Sequence, residues 1–251
     1  MSVPFITDPW FYAVAVPAVL LMGLAKSGFL MGFGSLATPM LALVVAAPQA
    51  AAIMLPLLLV MDITGVRQLW RERDRELLRL LIPAGLVGIA LGTLTFGMLS
   101  TKAVAGVLGA ITLAFVAQRL VFPPRRDAPP PGRVRGFVLT AIGGFTSFVA
   151  HAGGPPIAAY VLPLKLEPVR LTATLAVLMG AINLAKWIPY AALGLIDLRG
   201  MSTALVLAPL APLGVWAGVW ATRRIDSTWF YRLAYVGMAA AGFKLLWDGL
   251  R

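Results

Sequence analysis

Hydrophobic residues along the chain form long uncharged segments that are separated by short polar or basic stretches. In the first half, the apolar segments cover 10–26, 35–46, 49–68, 77–98 and 102–121. In the second half, they cover 136–150, 156–165, 170–192, 201–221 and 228–247. A helix of about 20 apolar residues spans a bilayer core. The pattern therefore predicts membrane-spanning helices, with one shorter segment in each half.

Two stretches rich in glycine and proline interrupt the apolar pattern, and they lie about 121 residues apart. The first extends from Gly23 to Pro39, with its break at 27–33, and the second from Gly144 to Pro156, with its break at 151–155. Glycine and proline disfavour a continuous helix. Paired breaks at corresponding positions of two halves are typical of a transporter binding site.

The same shift of 121 residues aligns other features of the two halves. The aligned pairs are Gly23 with Gly144, Gly32 with Gly153, Gly34 with Pro155, and Asp62 with Asn183. An odd number of segments per half makes the second half enter the membrane from the opposite face. We therefore predict an all-α integral membrane protein, an inverted repeat of two five-segment halves. Each half contains a broken or re-entrant helix hairpin, which gives about 8–10 membrane segments in all. The first repeat covers 1–121, a Pro/Arg-rich cytoplasmic linker 122–135, and the second repeat 136–251.

Composition and charge support a membrane protein and predict its orientation. Hydrophobic residues make up 60% of the chain and charged residues 12%, about half the charge of a soluble domain. The net charge of +11 comes from basic loops, since 67–79, 119–135, 165–170 and 223–232 contain 15 of the 21 Lys and Arg residues. By the positive-inside rule, we expect the loops 67–79, 122–135, 165–170 and 222–227 in the cytoplasm and both termini outside. We accordingly expect a multi-pass protein of the cell (inner) membrane, with the lipid bilayer as partner and no nucleic acid.

The glycine–proline breaks are candidates for a ligand site. Each break frees backbone N–H groups just before a short helix, and helix N-termini carry partial positive charge. Irregular backbone at membrane depth persists where it is buried or lines a wet cavity. We therefore predict an anion site at two converging helix N-termini. The alternative is close helix packing through small residues.

Four polar residues inside apolar segments add to this site. Lys26 could attract an anionic head group, or its side chain could reach the interface. Asp62 could relay protons, neutralise Lys26, or lie at a helix end near the charged loop. Asn183 could bond a substrate oxygen or a broken helix end. Lys186 could serve the substrate or reach the interface.

The single histidine, His151, lies in the second break and is a candidate for proton coupling or for a structural role. Coupling is therefore assigned to Asp62 or His151. The predicted substrate-binding residues are Lys26, Ser27, Gly32, Phe33, Gly34, Ser35, His151, Gly153, Gly154, Asn183 and Lys186. The sequence contains no cysteine and no catalytic or metal-binding signature, so we expect no enzyme activity, no metal and no cofactor.

At these residues the chain resembles the sulfite exporter TauE/SafE family of membrane permeases. The resemblance lies in Gly23-Leu-Ala-Lys26-Ser-Gly28-Phe29, Gly153-Gly154-Pro155-Pro156, Arg170-Leu-Thr-Ala-Thr174 and Asn183-Leu-Ala-Lys186. It implies an exporter or permease of small sulfur-containing anions such as sulfite or organosulfonates. Leu30, Phe33 and His151 are bulkier than the family pattern, and they are expected to reshape the pocket.

We therefore predict a secondary transporter that exports a small anion, sulfite or an organosulfonate, by alternating access around the paired helix N-termini. A carboxylate is a further candidate substrate. One alternative is a channel or cation/proton transporter that uses Asp62. Another is a membrane subunit of a larger complex. The sequence leaves the oligomeric state open, with a homodimer among the candidates.

Overall fold

The computed structural model describes residues 5–27, 34, 37–41, 43–45, 47–95, 98, 100–121, 130–150, 153–194, 196 and 198–250. In these ranges the chain forms eleven α-helices and no strand, which confirms the prediction of an all-α protein. The helices are α1 (Pro9–Lys26), α2 (Ala37–Leu41), α3 (Ala47–Leu69), α4 (Arg75–Leu94), α5 (Thr101–Val121), α6 (Arg133–Ala150), α7 (Gly154–Val161), α8 (Pro168–Ala192), α9 (Leu198–Leu207), α10 (Leu210–Thr222) and α11 (Ser227–Leu250). Single 3₁₀ turns extend α3 through Glu72 and α7 through Leu164.

Several of these helices are long and apolar enough to cross a membrane. Within the described ranges there are four, namely Pro9–Lys26, Ile53–Glu72, Arg75–Leu94 and Pro168–Ala192. A fifth is added if α9 and α10, which meet at an angle of 49°, are counted as one bent span. The prediction of a multi-pass helical membrane protein is consistent with these lengths.

Two predicted segments differ from the structure. The segment predicted over 201–221 is helical but not one unbroken helix, because α9 ends at Leu207 and α10 begins at Leu210. Pro209 lies at this bend and carries no N–H, so it cannot donate the bond that would continue α9. Within the short segment predicted over 35–46, the described residues form the five-residue helix α2 and a turn at 43–45.

The helices form two bundles with separate cores, and each bundle takes helices from both halves of the sequence. The first bundle contains α1, α2, α3, α9 and α10. The second bundle contains α4, α6, α7 and α8. Helices α5 and α11 pack against each other, and both also contact α7. The two bundles meet where α3 packs against α8, a contact that we call the seam.

Glycines allow very close helix contacts within each bundle. In the first bundle, a Cβ added to Gly23 of α1 would lie 2.8 Å from the Cα of Gly214 of α10. In the second bundle, a Cβ added to Gly144 of α6 would collide with the backbone carbonyl of Gly85 of α4. Gly23 and Gly144 are one of the pairs that align between the two halves of the sequence. At both positions, the absence of a side chain lets a helix from the other half of the sequence approach closely.

Ion pairs join the connections at one end of the molecule. Arg170, in the first turn of α8, donates to Asp74 at 2.8 Å, and Arg223, just after α10, donates to Glu72 at 2.9 Å. The start of α6 lies at the same end, because the Tyr160 ring near the end of α7 covers Gly136. The connections around 70–74, 165–170 and 223–226 and the start of α6 therefore share one end of the bundle.

Candidate functional site

The end of α1 meets the middle of α3 through a pair of opposite charges. Lys26 is the last residue of α1, where the negative end of the helix dipole favours a cation. Its ammonium group donates to Oδ1 of Asp62 on α3. The two side chains are 10% and 3% exposed. Among the alternatives given for Asp62, the structure shows the pair with Lys26. The Lys26 side chain is directed at this carboxylate and does not reach the interface.

A second bond extends this pair across the seam. Nδ2 of Asn183 on α8 donates to Oδ2 of Asp62 at 2.6 Å, and Asn183 is 2% exposed. The two residues are 121 positions apart, which is the spacing of the two glycine–proline stretches. Both carboxylate oxygens of Asp62 therefore accept a bond, one from each bundle.

Lys186 lies one turn beyond Asn183 on α8, and its side chain is fully buried. Its ammonium group donates to Oγ of Ser147 at 3.1 Å and to the Ser147 carbonyl at 3.3 Å. One turn further on, the Tyr190 hydroxyl donates to the carbonyl of Phe148 at 2.7 Å, and the two rings stack with centroids 5.2 Å apart. Side chains of α8 thus bind carbonyls in the last turn of α6, where the helix itself supplies no donor.

These residues bring two lysines and one carboxylate together. Lys186 lies one turn along α8 from Asn183, the residue that donates to Asp62, and Asp62 in turn accepts from Lys26. Ser147 hydrogen-bonds to Lys186 and also lies against the second break, since a Cβ added to Gly153 would be 2.7 Å from the Cβ of Ser147. The start of α7 and the Lys186 ammonium therefore converge on the same serine.

The N-terminus of α7 offers few free amide groups. Pro155 and Pro156 occupy its first turn and carry no N–H. Gly154 supplies an amide at the first helical position, and no heavy atom would lie within 4 Å of a Cβ added there. Among the described residues, the space beside this turn is therefore open at Gly154.

Ser27 is packed in a way that the sequence did not indicate. Its Oγ donates to the Leu24 carbonyl at 2.7 Å, and its own carbonyl accepts a bond from Oγ1 of Thr222 at 3.1 Å. Gly218 of α10 lies directly against its side chain. These contacts use the hydroxyl in the packing of α1 on α10.

Gly32, Phe33, Ser35 and His151 lie outside the described residues, and their predicted roles stay predictions. Gly34 is described, and a Cβ added to it would lie 3.0 Å from the Cβ of Ala25 in α1. Of the predicted substrate-binding residues, the structure brings together Lys26, Asn183 and Lys186. Asp62 lies between Lys26 and Asn183 and bonds to both. Gly153 lies next to Ser147, the serine that accepts from Lys186.

Tyr190 was missed by the sequence analysis. A tyrosine within an apolar helix is ordinarily interpreted as a residue of the hydrophobic core. Tyr190, however, follows Lys186 by four residues, so the two side chains share one face of α8. That spacing was the available signal for a second α8 side chain directed at the end of α6.

Comparison with known families gives one match. A family model described as "Sulfite exporter TauE/SafE" matches residues 15–245, nearly the whole chain. Comparisons with curated proteins and with solved structures gave no match. The matched region contains both glycine–proline stretches and every charged residue of the site described above. From this coverage, the chain belongs to the sulfite exporter TauE/SafE family of membrane transporters.

Proposed function

We propose that the chain is a secondary transporter that exports a small sulfur-containing anion, sulfite or an organosulfonate, by alternating access at the seam between the two bundles. The observation that carries this proposal is the burial of Lys26 and Lys186 around a single carboxylate. Ionisable residues inside membrane segments are costly and mark substrate or ion pathways. An anion between the two ammonium groups would interact favourably with both.

The second break supports a binding place for that anion. The start of α7 and the Lys186 ammonium both lie next to Ser147. A small oxyanion there would meet the positive end of α7, the amide of Gly154 and the serine hydroxyl. Sulfite and sulfonates present three oxygens on one sulfur, so they can accept several of these bonds at once.

Cation transport through Asp62 is less well supported. Both of its carboxylate oxygens already accept bonds, from Lys26 and Asn183. A metal cation would have to displace the lysine ammonium and would then lie beside two positive charges. Proton coupling stays compatible with the geometry, because protonation of Asp62 would release Lys26 towards an anion.

The packing of the helices supports an inverted repeat as the basis of alternating access. At a shift of 121 residues, α1 corresponds to α6 and α3 to α8. Helix α1 packs on α10, and α6 packs on α4, so each broken helix contacts the fourth span of the other half. The bond between Asp62 and Asn183 joins two aligned positions, as expected close to a two-fold pseudo-axis.

The ends of the bundle support the proposed orientation. The connections that share one end, around 70–74, 165–170 and 223–226, belong to three of the four basic stretches. We propose that this end faces the cytoplasm, in agreement with the positive-inside rule. Both termini would then lie outside.

Transport assays in proteoliposomes test the proposal. We expect saturable flux of sulfite or an alkanesulfonate, and Lys26→Ala or Lys186→Ala should weaken apparent affinity by about tenfold or more, since a charge-assisted bond contributes about 1.5–3 kcal/mol. Lys102→Ala, an exposed lysine on α5, is the matched control and should transport normally.

Three results would contradict the proposal. Absence of both binding and flux for sulfite, sulfonates and carboxylates would exclude an anion transporter. Cation flux that Asp62→Asn abolishes and Lys26→Ala leaves intact would favour the cation alternative. Flux that appears only with a co-purified partner would identify the chain as a subunit of a larger complex.

A further inference from the structure

The helices that build the site, α1, α3, α6 and α8, contain more basic than acidic side chains. Across the sequences of α1 to α11, carboxylates occur only at Asp62, Glu76 and Asp248. Glu76 lies in the first turn of α4, and Asp248 pairs with Lys244 near the end of α11. Asp62 is therefore the one carboxylate in the sequences of α1, α3, α6 and α8, the four helices that build the site.

Two lysines accompany this carboxylate. Lys26 bonds to it directly, and Lys186 lies one turn from Asn183, the other partner of Asp62, and donates to the two oxygens of Ser147. The arginines of these four helices lie at the basic end, at Arg67, Arg133, Arg135 and Arg170. With both lysines protonated, the charged side chains that the structure describes at the centre of the site, Lys26, Lys186 and Asp62, carry one net positive charge.

We infer that the site selects monoanions, such as organosulfonates and hydrogensulfite, over dianions such as sulfate, and that Asp62 determines this selectivity. The inference rests on the proposed function and adds the charge class of the substrate. A monoanion brings the central charge of the occupied site to zero. A dianion leaves one net negative charge in a medium of low dielectric, with the Asp62 carboxylate as its nearest negative neighbour.

The position of Asp62 makes it the discriminating group. It lies between Lys26 and Asn183, and its negative charge offsets the positive charge of Lys26. Less of that positive charge then remains to stabilise a second negative charge on the substrate. Asn is isosteric with Asp, and its Oδ1 can accept the bond from Lys26; its Nδ2 then donates to Asn183 once the Asn183 amide turns to present its Oδ1. The variant Asp62→Asn therefore raises the central charge by one while it keeps the shape of the site.

Competition experiments with reconstituted protein test the inference. Flux of labelled methanesulfonate is measured against unlabelled methanesulfonate and against sulfate, in the wild type, in Asp62→Asn and in the double variant Lys26→Gln/Asp62→Asn. The double variant has the wild-type central charge and serves as the matched control. Size-exclusion chromatography and thermal unfolding check that each variant is folded.

In the wild type we expect sulfate to compete at least about tenfold more weakly than methanesulfonate, because sulfate leaves one net negative charge at the occupied centre; tenfold corresponds to about 1.4 kcal/mol, less than the interaction of two unit charges about 4 Å apart at an effective dielectric of about 20. Asp62→Asn should reduce this ratio by about tenfold or more, and the double variant should restore it. Equal competition by both anions in the wild type would overturn the inference and leave the proposed function intact. A ratio that Asp62→Asn does not change would also overturn it. If neither anion binds or moves, the proposed function itself fails. Should Asp62→Asn not fold, the wild-type ratio still tests the selectivity for monoanions, since equal competition by both anions overturns it.

Discussion

A disulfide across the seam should stop transport while it stabilises the fold. The two cysteines replace Gly65 of α3 and Ala176 of α8, because a Cβ added to Gly65 would lie 3.6 Å from the Cβ of Ala176. Disulfides form at Cβ–Cβ separations of about 3.5–4.5 Å. The chain has no cysteine of its own, so Gly65→Cys/Ala176→Cys introduces the one disulfide available.

The expected magnitudes follow from the same geometry. The bond would close a loop of about 110 residues, and a loop of about 100 residues corresponds to a stabilisation of about 4.7 kcal/mol in the chain-entropy model, less any strain. The Cα atoms of a disulfide lie within about 7 Å of each other. Relative movement of the two bundles at this level of the seam is therefore blocked in the oxidised protein.

The assay compares flux and thermal unfolding with and without a reducing agent. We expect the oxidised variant to unfold at a higher temperature and to lose nearly all flux, and reduction should restore the flux. Thr112→Cys/Gly242→Cys is the control, since a Cβ added to Gly242 would lie 3.3 Å from the Cβ of Thr112 and this pair joins α5 to α11, away from the seam. That control should be stabilised and should still transport. Full flux through the oxidised seam variant would refute movement at the α3–α8 contact.

Two further variants probe the packing that positions the site. Gly88→Ala should lower the midpoint of thermal unfolding, because the added Cβ would collide with the Ala141 carbonyl of α6 and would lie 2.7 Å from the Phe145 nitrogen; overpacking of this kind costs about 1–3 kcal/mol. The control Gly132→Ala should leave the midpoint unchanged, since no heavy atom would lie within 4 Å of its added Cβ. Equal midpoints for the two variants would contradict the close contact between α4 and α6. Tyr190→Phe should lower the free energy of unfolding by about 1–2 kcal/mol, because it removes the donor to the buried Phe148 carbonyl and keeps the ring stack. An unchanged unfolding midpoint would show that this hydrogen bond contributes nothing.

Helix positions could be predicted well from the sequence because bilayer-length apolar runs are a strong local signal. Most predicted ends agree with the structure to within a few residues, as for α5, predicted over 102–121 and observed over Thr101–Val121. The bend at Pro209 was missed although the proline is visible in the sequence. In membrane helices, prolines are often tolerated inside a continuous span, as Pro56 is within α3. A proline alone therefore does not identify a break.

The polar residues of the site were identified from the sequence, but their partners were not. Costly groups such as Lys26, Asp62 and Lys186 stand out against apolar surroundings without any knowledge of the fold. Which of them pair depends on how α1, α3 and α8 cross, and that is decided by glycine contacts such as Gly23 with Gly214, far along the chain. The interleaving of the two halves into two bundles follows from the same contacts and has no local signature.

The aligned halves also differ at the positions that matter most for charge. At a shift of 121 residues, Lys26 aligns with Ser147, Asp62 with Asn183 and Gly65 with Lys186. A fully symmetric site would repeat the pair of Lys26 and Asp62 and carry no net charge at its centre. Instead, the second half replaces the carboxylate by an amide and the lysine by a serine, and it places its own lysine one turn away, where it bonds to that serine. The two aligned stretches therefore supply two lysines and a single carboxylate, and the proposed selectivity for monoanions depends on this difference in charge.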